Sequence, residues 1–406
     1  MKMSKFIKST LILLVGGFLT KVLGMLIKII TTRIIGTETL GLYMLIMPTF
    51  NLFITLAQGG LPISVSKIVS ENKKDNKKIV FSSIFISICT TFFLMILLIF
   101  ISPLIAKFLH NDSLSFPIMC IGLTLPFISL SGIIRGYFFG KENMFPHVLS
   151  NNFEQFVRII LNIIFLPLLS NYEPRVSVTF LILSNVISET TSIIILYFFL
   201  PRKIKITKEM LKPEKIIIKD VLNISIPTTG SFLEPIVLTS FLLMNGYTTN
   251  YITYEYGVLT GYVMPLLLLP SFFTMAISQA TLPVISNGYA NNKIPYVKKK
   301  IKQSLLLSFA IGLFFTIILM IFPEIFMKLI YNTNEGVSYI RKLAPFFLLL
   351  YIQTPLVSVM QALDKAKDAM HSTLVGSIIK IALIIKNWII SFSNCYSCKY
   401  NLCYCI

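Results

Sequence analysis

Charge is what this sequence has least of. Asp, Glu, Lys and Arg make up 13% of its 406 residues, against about 25% in a soluble globular domain. Acidic residues are the scarcer kind, 17 beside 36 Lys and Arg. So thin a charged complement does not suit a water-soluble surface. There is one tryptophan, and the three histidines, His110, His147 and His371, stand far apart without Asp or Cys companions. No Walker loop, G-x-S-x-G or H-E-x-x-H sequence occurs,. The chain therefore has no ATPase motif of its own, and no catalytic constellation points to an enzyme. Cysteine is sparse until the tail: Cys89 and Cys120 sit in apolar runs, and Cys395, Cys398, Cys403 and Cys405 crowd the last residues without ordinary zinc-site spacing,.

What the sequence has in abundance is hydrophobicity, 55% of all residues. Uncharged apolar runs recur from end to end, each near the ~20 residues that cross a bilayer core. They are continuous and lack the two-residue alternation of barrel strands, so they read as helices. The spans expected are 9–34, 40–66, 79–104, 114–138, 148–169, 176–200, 221–246, 255–285, 304–330, 340–362 and 372–392, about eleven in all. The first follows Lys2, Lys5 and Lys8 but continues past Ile30 without a small-residue cleavage site, so it reads as a retained helix and not a signal peptide,.

The net charge of +19 could suggest nucleic acid, but its placement argues otherwise. With the N-terminus in the cytoplasm, the inner segments hold Lys2, Lys5 and Lys8, then Lys67, Lys73, Lys74, Lys77 and Lys78, then Lys141. Next come seven Lys and Arg between Arg202 and Lys219, five lysines from Lys293 to Lys302, and Lys365 with Lys367. The outer loops hold only Lys107 and Arg175. This asymmetry is the signature of insertion orientation, and a nucleic-acid partner is not expected.

The longest basic loop, 201–220, divides the chain into matching halves. Gly41–Pro48 (GLYMLIMP) matches Gly257–Pro265 (GVLTGYVMP), Gly59–Lys67 matches Ala280–Gly288, and Glu154–Leu161 matches Gly376–Leu383. Six helices separate equivalent positions, so both halves share one topology, an arrangement of parallel repeats found in transporters. The expected organisation is an N-terminal six-helix lobe (1–200), a basic cytoplasmic linker (201–220), a C-terminal lobe of five helices (221–392) and a Cys-rich tail (393–406). The repeat calls for a twelfth helix after the eleventh, and the change of character in the tail reads as a truncated or frame-shifted C-terminus.

Ionisable groups in mid-span cost at least about 2.5–3.5 kcal/mol each, so they should face a bundle interior or a wet cavity. In the first span Gly17, Thr20, Lys21, Gly24, Lys28 and Thr31 fall on one helical face,. Lys21 lies near the midplane, too deep for its amine to reach the headgroups easily. Asn151, Glu154, Gln155, Arg158 and Asn162 share a face of the fifth span, with Glu154 and Arg158 spaced to pair,. Asn185, Ser188, Glu189 and Ser192 do the same on the sixth, and Arg135 sits towards the inner end of the fourth. Lys21, Lys28, Arg135 and Arg158 oppose Glu154 and Glu189, a balance of +2. In the second half Glu234 is flanked by Pro227 and Pro235, a pattern of a discontinuous helix,. A cation-rich path suits an anionic substrate such as a pyrophosphate head. The fourth span ends on Gly132, Gly136 and Gly140, whose repeat partners are Thr354, Ser358 and Ala362. Small residues at this spacing allow close helix packing, or a sliding contact.

Several stretches resemble one known family. Leu19–Glu71, the segment SGIIRGYFFGKENMFPHVLSNNFEQFVRI, and ISIPTTGSFLEPIVLT are similar to blocks of the polysaccharide biosynthesis (export) proteins, the family of stage V sporulation protein B. The resemblance implies an all-α polytopic membrane protein with the two-lobe bundle of the multidrug and toxin extrusion (MATE)-like superfamily. It implies a plasma-membrane flippase for a lipid-linked anionic oligosaccharide, a peptidoglycan or polysaccharide precursor, working by alternating access in sporulation. Partners would then be that substrate and membrane lipids. No cofactor is expected, with a coupling Na+ or H+ left open. Lys21, Lys28 and Arg158 would hold the pyrophosphate, with Glu189 and Glu234 balancing charge or taking a coupling cation. A cation-coupled multidrug exporter and a truncated, non-transporting homologue stand as alternatives.

Overall fold

The computed structural model describes residues 5–59, 61, 62, 65, 66, 69, 76–141, 143–200, 235–244, 246–363, 365, 368, 372, 375, 376 and 379. All regular structure among these residues is helical, as lipid requires of a backbone whose polar groups find no water. The linker at 201–220, Glu234, Lys380 and the Cys-rich tail lie outside the described residues.

The chain divides into two compact units, Met1–Gly257 and Val258–Ile406. In the first, α1 (Lys5–Gln58) leads to α2 (Asn76–Phe108), α3 (Ser115–Gly140), α4 (Phe145–Leu169) and α5 (Pro174–Phe199). A short α6 (Pro235–Met244) and α7 (Thr249–Gly257) complete it. The second unit opens on a π-helical turn (Val258–Val263) and a single helical turn α8 (Met264–Leu267). It continues with α9 (Leu269–Ala290), α10 (Ile294–Ile321), α11 (Pro323–Tyr331) and α12 (Val337–Ala362). Among the described residues eight helices are long and apolar enough to cross a membrane. With α1 counted twice, they correspond to nine of the ten spans expected between residues 9 and 362; of the span at 221–246 the structure describes chiefly Pro235–Met244, and most of the span at 372–392 lies outside the described residues.

Local chemistry sets many of the boundaries. Proline stands in the first turn of α4, α5, α10 and α11, where its missing N–H costs nothing. The loop expected at 35–39 is instead one residue: helix runs from Lys5 to Gln58 except at Gly36, whose φ of 72° and ψ of 168° break it. That backbone region is essentially restricted to glycine. Pro48 lies further along the same helix, so the break in α1 belongs to glycine and not to proline. The span expected at 304–330 is two helices. The lysine-rich segment before it is helical from Ile294, and Pro323 starts a separate α11 after Phe322. Some buried hydroxyls are satisfied within their own helices, as when Thr91 donates to the Ser87 carbonyl at 2.7 Å and Ser278 to the Thr274 carbonyl at 2.7 Å,.

The glycine stripe of α3 packs at backbone distance. A Cβ on Gly136 would lie 2.4 Å from the Pro62 carbonyl oxygen, and one on Gly140 2.5 Å from that of Ser66. Leu61, Val65 and Val69 close this contact against Ile133 and Val80. In the second unit Ser358 of α12, the repeat partner of Gly136, donates to the Ser278 carbonyl of α9 at 2.9 Å. Ile285, Val297, Val359 and Ala362 form the apolar cluster beside it. Gly136 and its repeat partner Ser358 thus each sit at a close packing contact within their own unit.

Candidate functional site

Within the first unit α1 lies along α4, held at two levels. Thr20 donates to the Asn152 side-chain oxygen at 2.7 Å, and Asn162 donates to Thr31 at 2.9 Å. Between them Gly24 faces the Gln155 side chain. The polar face read in the first span is therefore shared. Thr20, Gly24 and Thr31 serve contact with α4, whereas Lys21 and Lys28 stand exposed.

Four charged side chains from three helices meet beside this seam. Glu154 of α4, 6% exposed, is the bridging carboxylate. It accepts from Arg135 of α3 at 2.7 Å through one oxygen and from Arg158 of its own helix at 2.8 Å through the other. Arg135 also donates to Ser192 at 2.7 Å and reaches Glu189 of α5, 5% exposed, at 3.5 Å. Arg158 donates in addition to Ser188 at 3.2 Å. Two guanidiniums and two carboxylates form an electroneutral set, which is how buried charge becomes tolerable in a low-dielectric interior. The pairing of Glu154 with Arg158, one helical turn apart, is the one the sequence spacing allows.

Arg158 belongs to a second feature, a cavity of about 350 Å³ between α1, α4 and α5. Its polar lining includes Lys28, Asn51, Gln155, Arg158, Asn162 and Asn185, and Tyr43, Met44 and Met47 contribute to the rest of the wall. The charged side chains lining it are Lys28 and Arg158, both cationic. Arg158 Nε and Asn162 Oδ1 are buried with no hydrogen-bond partner among the described residues. An anionic group fits such a surface better than a cation does.

The structure thus brings together Arg135, Glu154, Arg158 and Glu189 from the sequence reading, and it puts Lys28 on the cavity wall. Lys21 lies outside the lining, and Glu234 lies outside the described residues. Sequence reasoning missed Asn51 and Tyr43. The available signal for Asn51 was an amide inside the otherwise apolar stretch Phe50–Phe53, which a lipid-facing position would not favour.

A model described as polysaccharide biosynthesis protein matches residues 6–289, across α1 to α9. The chain belongs to that family. The MatE family model matches residues 259–385 of this polysaccharide biosynthesis protein family member. Stage V sporulation protein B of Bacillus subtilis (strain 168) is 36% identical over 398 residues, covering 93% of this chain and 77% of the relative. Lipid II flippase MurJ of the same organism is 22% identical over 441 residues, covering 94% and 77%. A solved inward-facing structure of a multidrug resistance MATE family transporter of the MOP superfamily superposes with a TM-score of 0.71. It is 15% identical, with 90% of this chain and 86% of that one covered, and so shows a common fold. This family member is accordingly a multi-pass, all-helical membrane transporter with a MATE-like fold.

Proposed function

We propose that this transporter is a flippase that moves a lipid-linked anionic oligosaccharide, a peptidoglycan or polysaccharide precursor, across the plasma membrane by alternating access during sporulation. The carrying observation is the sign of the cavity: its charged lining residues, Lys28 and Arg158, are both cationic. Similarity to a sporulation protein and to a lipid II flippase supports the substrate class and setting. In this reading Lys28 and Arg158 engage the phosphates of the lipid carrier, Lys21 receives them two turns away along the same helix face, and Arg135 holds Glu154 in place. Glu154 and Glu189, the buried carboxylates among the described residues, are the groups available to a coupling Na+ or H+. Glu234 shares that role in the proposal. Basic inner segments such as Lys293–Lys302 support a cytoplasmic N-terminus, and the linker at 201–220 would join the two lobes.

The alternative of a cation-coupled drug exporter calls for an acidic cavity, opposite in sign to this one. The deciding experiment reconstitutes the full chain in vesicles with a fluorescent lipid-linked precursor and scores sidedness with and without an ion gradient. Lys28→Ala should lower the translocation rate at least tenfold while the protein still inserts and purifies normally. Undiminished translocation by Lys28→Ala, or transport of organic cations in place of the precursor, would refute the reading.

A further inference from the structure

A second cavity lies far along the chain from the first and has different chemistry. On the second unit an apolar groove of about 470 Å³ runs between α10 and α12, within the size range that takes small-molecule ligands. Its wall is Ile301, Leu305, Leu306 and Phe309 of α10 and Ile352 of α12, and two lysines, Lys298 and Lys302, stand at one end. These α10 positions recur at three- and four-residue spacing, so they form a single stripe along one helix face. The stripe is cationic for its first two turns and apolar afterwards.

The position of that change matters. From Lys302 to Ile321, the end of α10, the helix rises about 29 Å, the thickness of a bilayer's hydrocarbon core. Lys302 therefore sits at the boundary between hydrocarbon and headgroups, and Lys298 one turn further into the headgroup layer. Both are exposed, and neither has an ion-pair partner among the described residues. Lys300, by contrast, turns to the Tyr296 ring at 5.7 Å and to Gln303 at 3.1 Å. Two unpaired ammonium groups at headgroup depth, continuous with an apolar channel running into the hydrocarbon, match a molecule with an anionic head and acyl chains.

We infer that the α10–α12 groove is a binding site for an anionic diacyl phospholipid of the surrounding bilayer. The phosphate lies between Lys298 and Lys302, and an acyl chain lies along Leu305, Phe309 and Ile352. Basic pockets between spanning helices recognise lipid headgroups by this combination of charge and apolar wall. A lipid seated there fills the groove between two helices of the second unit and fastens α10 to α12 from the membrane side.

The test uses the full purified chain in detergent, titrated with phosphatidylglycerol or phosphatidylcholine and read by native mass spectrometry. The wild type should retain phosphatidylglycerol in preference to phosphatidylcholine, saturating at a discrete stoichiometry. The double variant Lys298→Gln/Lys302→Gln should weaken phosphatidylglycerol by about 30-fold, the combined effect of two lysines at a membrane surface. Ile352→Trp, which fills the groove without altering charge, should weaken it as well. Lys293→Gln/Lys299→Gln removes the same charge from the start of α10 and the residue that precedes it, outside the groove, and should change affinity less than threefold. An equal loss in that control, equal retention of phosphatidylcholine, or displacement of the lipid by inorganic phosphate alone would overturn the site.

Discussion

Replacing Glu154 with Gln is the most informative single change to the charged cluster. The carboxylate serves two guanidiniums at once, Arg135 at 2.7 Å and Arg158 at 2.8 Å. The arginine side chains are 17% and 20% exposed, so solvent screens them only in part. Arg135 has recourse, since Glu189 lies 3.5 Å away and Ser192 accepts at 2.7 Å. Arg158 has only the Ser188 hydroxyl at 3.2 Å. Breaking one buried pair by removing one partner costs about 3–5 kcal/mol, and this is the loss expected of Glu154→Gln. Glu189→Gln should cost less, about 1–2 kcal/mol, because its partner is further away and keeps another carboxylate. Adding Arg158→Gln to Glu154→Gln removes the orphaned charge and should restore about 1–3 kcal/mol, a coupling typical of residues in contact. The assay is reversible unfolding of the detergent-solubilised protein, with the four corners of the double-mutant cycle measured side by side. A wild-type unfolding midpoint for Glu154→Gln, or strict additivity in the cycle, would refute the view that Glu154 ties α3 and α4 together.

Two further outcomes concern the backbone. Gly36→Ala should destabilise by about 1–3 kcal/mol, the cost of holding a side-chain-bearing residue in glycine-only backbone space; no atom lies within 4 Å of the added Cβ, so the loss in unfolding measurements is conformational and not steric. Gly136→Ala drives a Cβ to within 2.4 Å of the Pro62 carbonyl and should cost about 1–3 kcal/mol by overpacking, whereas Gly17→Ala, with nothing within 4 Å, should melt like the wild type.

Hydropathy and lysine placement made the helical plan legible. The fifth and sixth spans, expected at 148–169 and 176–200, are found at Phe145–Leu169 and Pro174–Phe199, because a spanning helix has to present a long uninterrupted apolar surface. Boundaries failed where hydropathy and backbone geometry part company. The lysine-rich start of α10 reads as loop on a hydropathy scale, yet lysine is a good helix former and Pro295 begins the helix,. Gly36 reads as part of a loop because a glycine beside threonines gives no sign of how few residues the turn needs. The π-helical turn at Val258–Val263 left no sequence signal, since such turns arise from tertiary fit. At the site, periodicity grouped Glu154 with Arg158 because both lie on one helix. It could not place Arg135 against Glu154, nineteen residues away on another helix, because a charge pattern carries no information on which faces of two helices meet.

A closed set of two positive and two negative side chains constrains how the protein can change through descent. Any single substitution that removes one charge at Arg135, Glu154, Arg158 or Glu189 strands an opposite charge in the interior, so variation there is passable chiefly in compensating pairs. Lineages that alter this quartet should therefore exchange or lose an acid and a base together, while Lys28, which has no ion-pair partner among the described residues, carries no such pairing constraint.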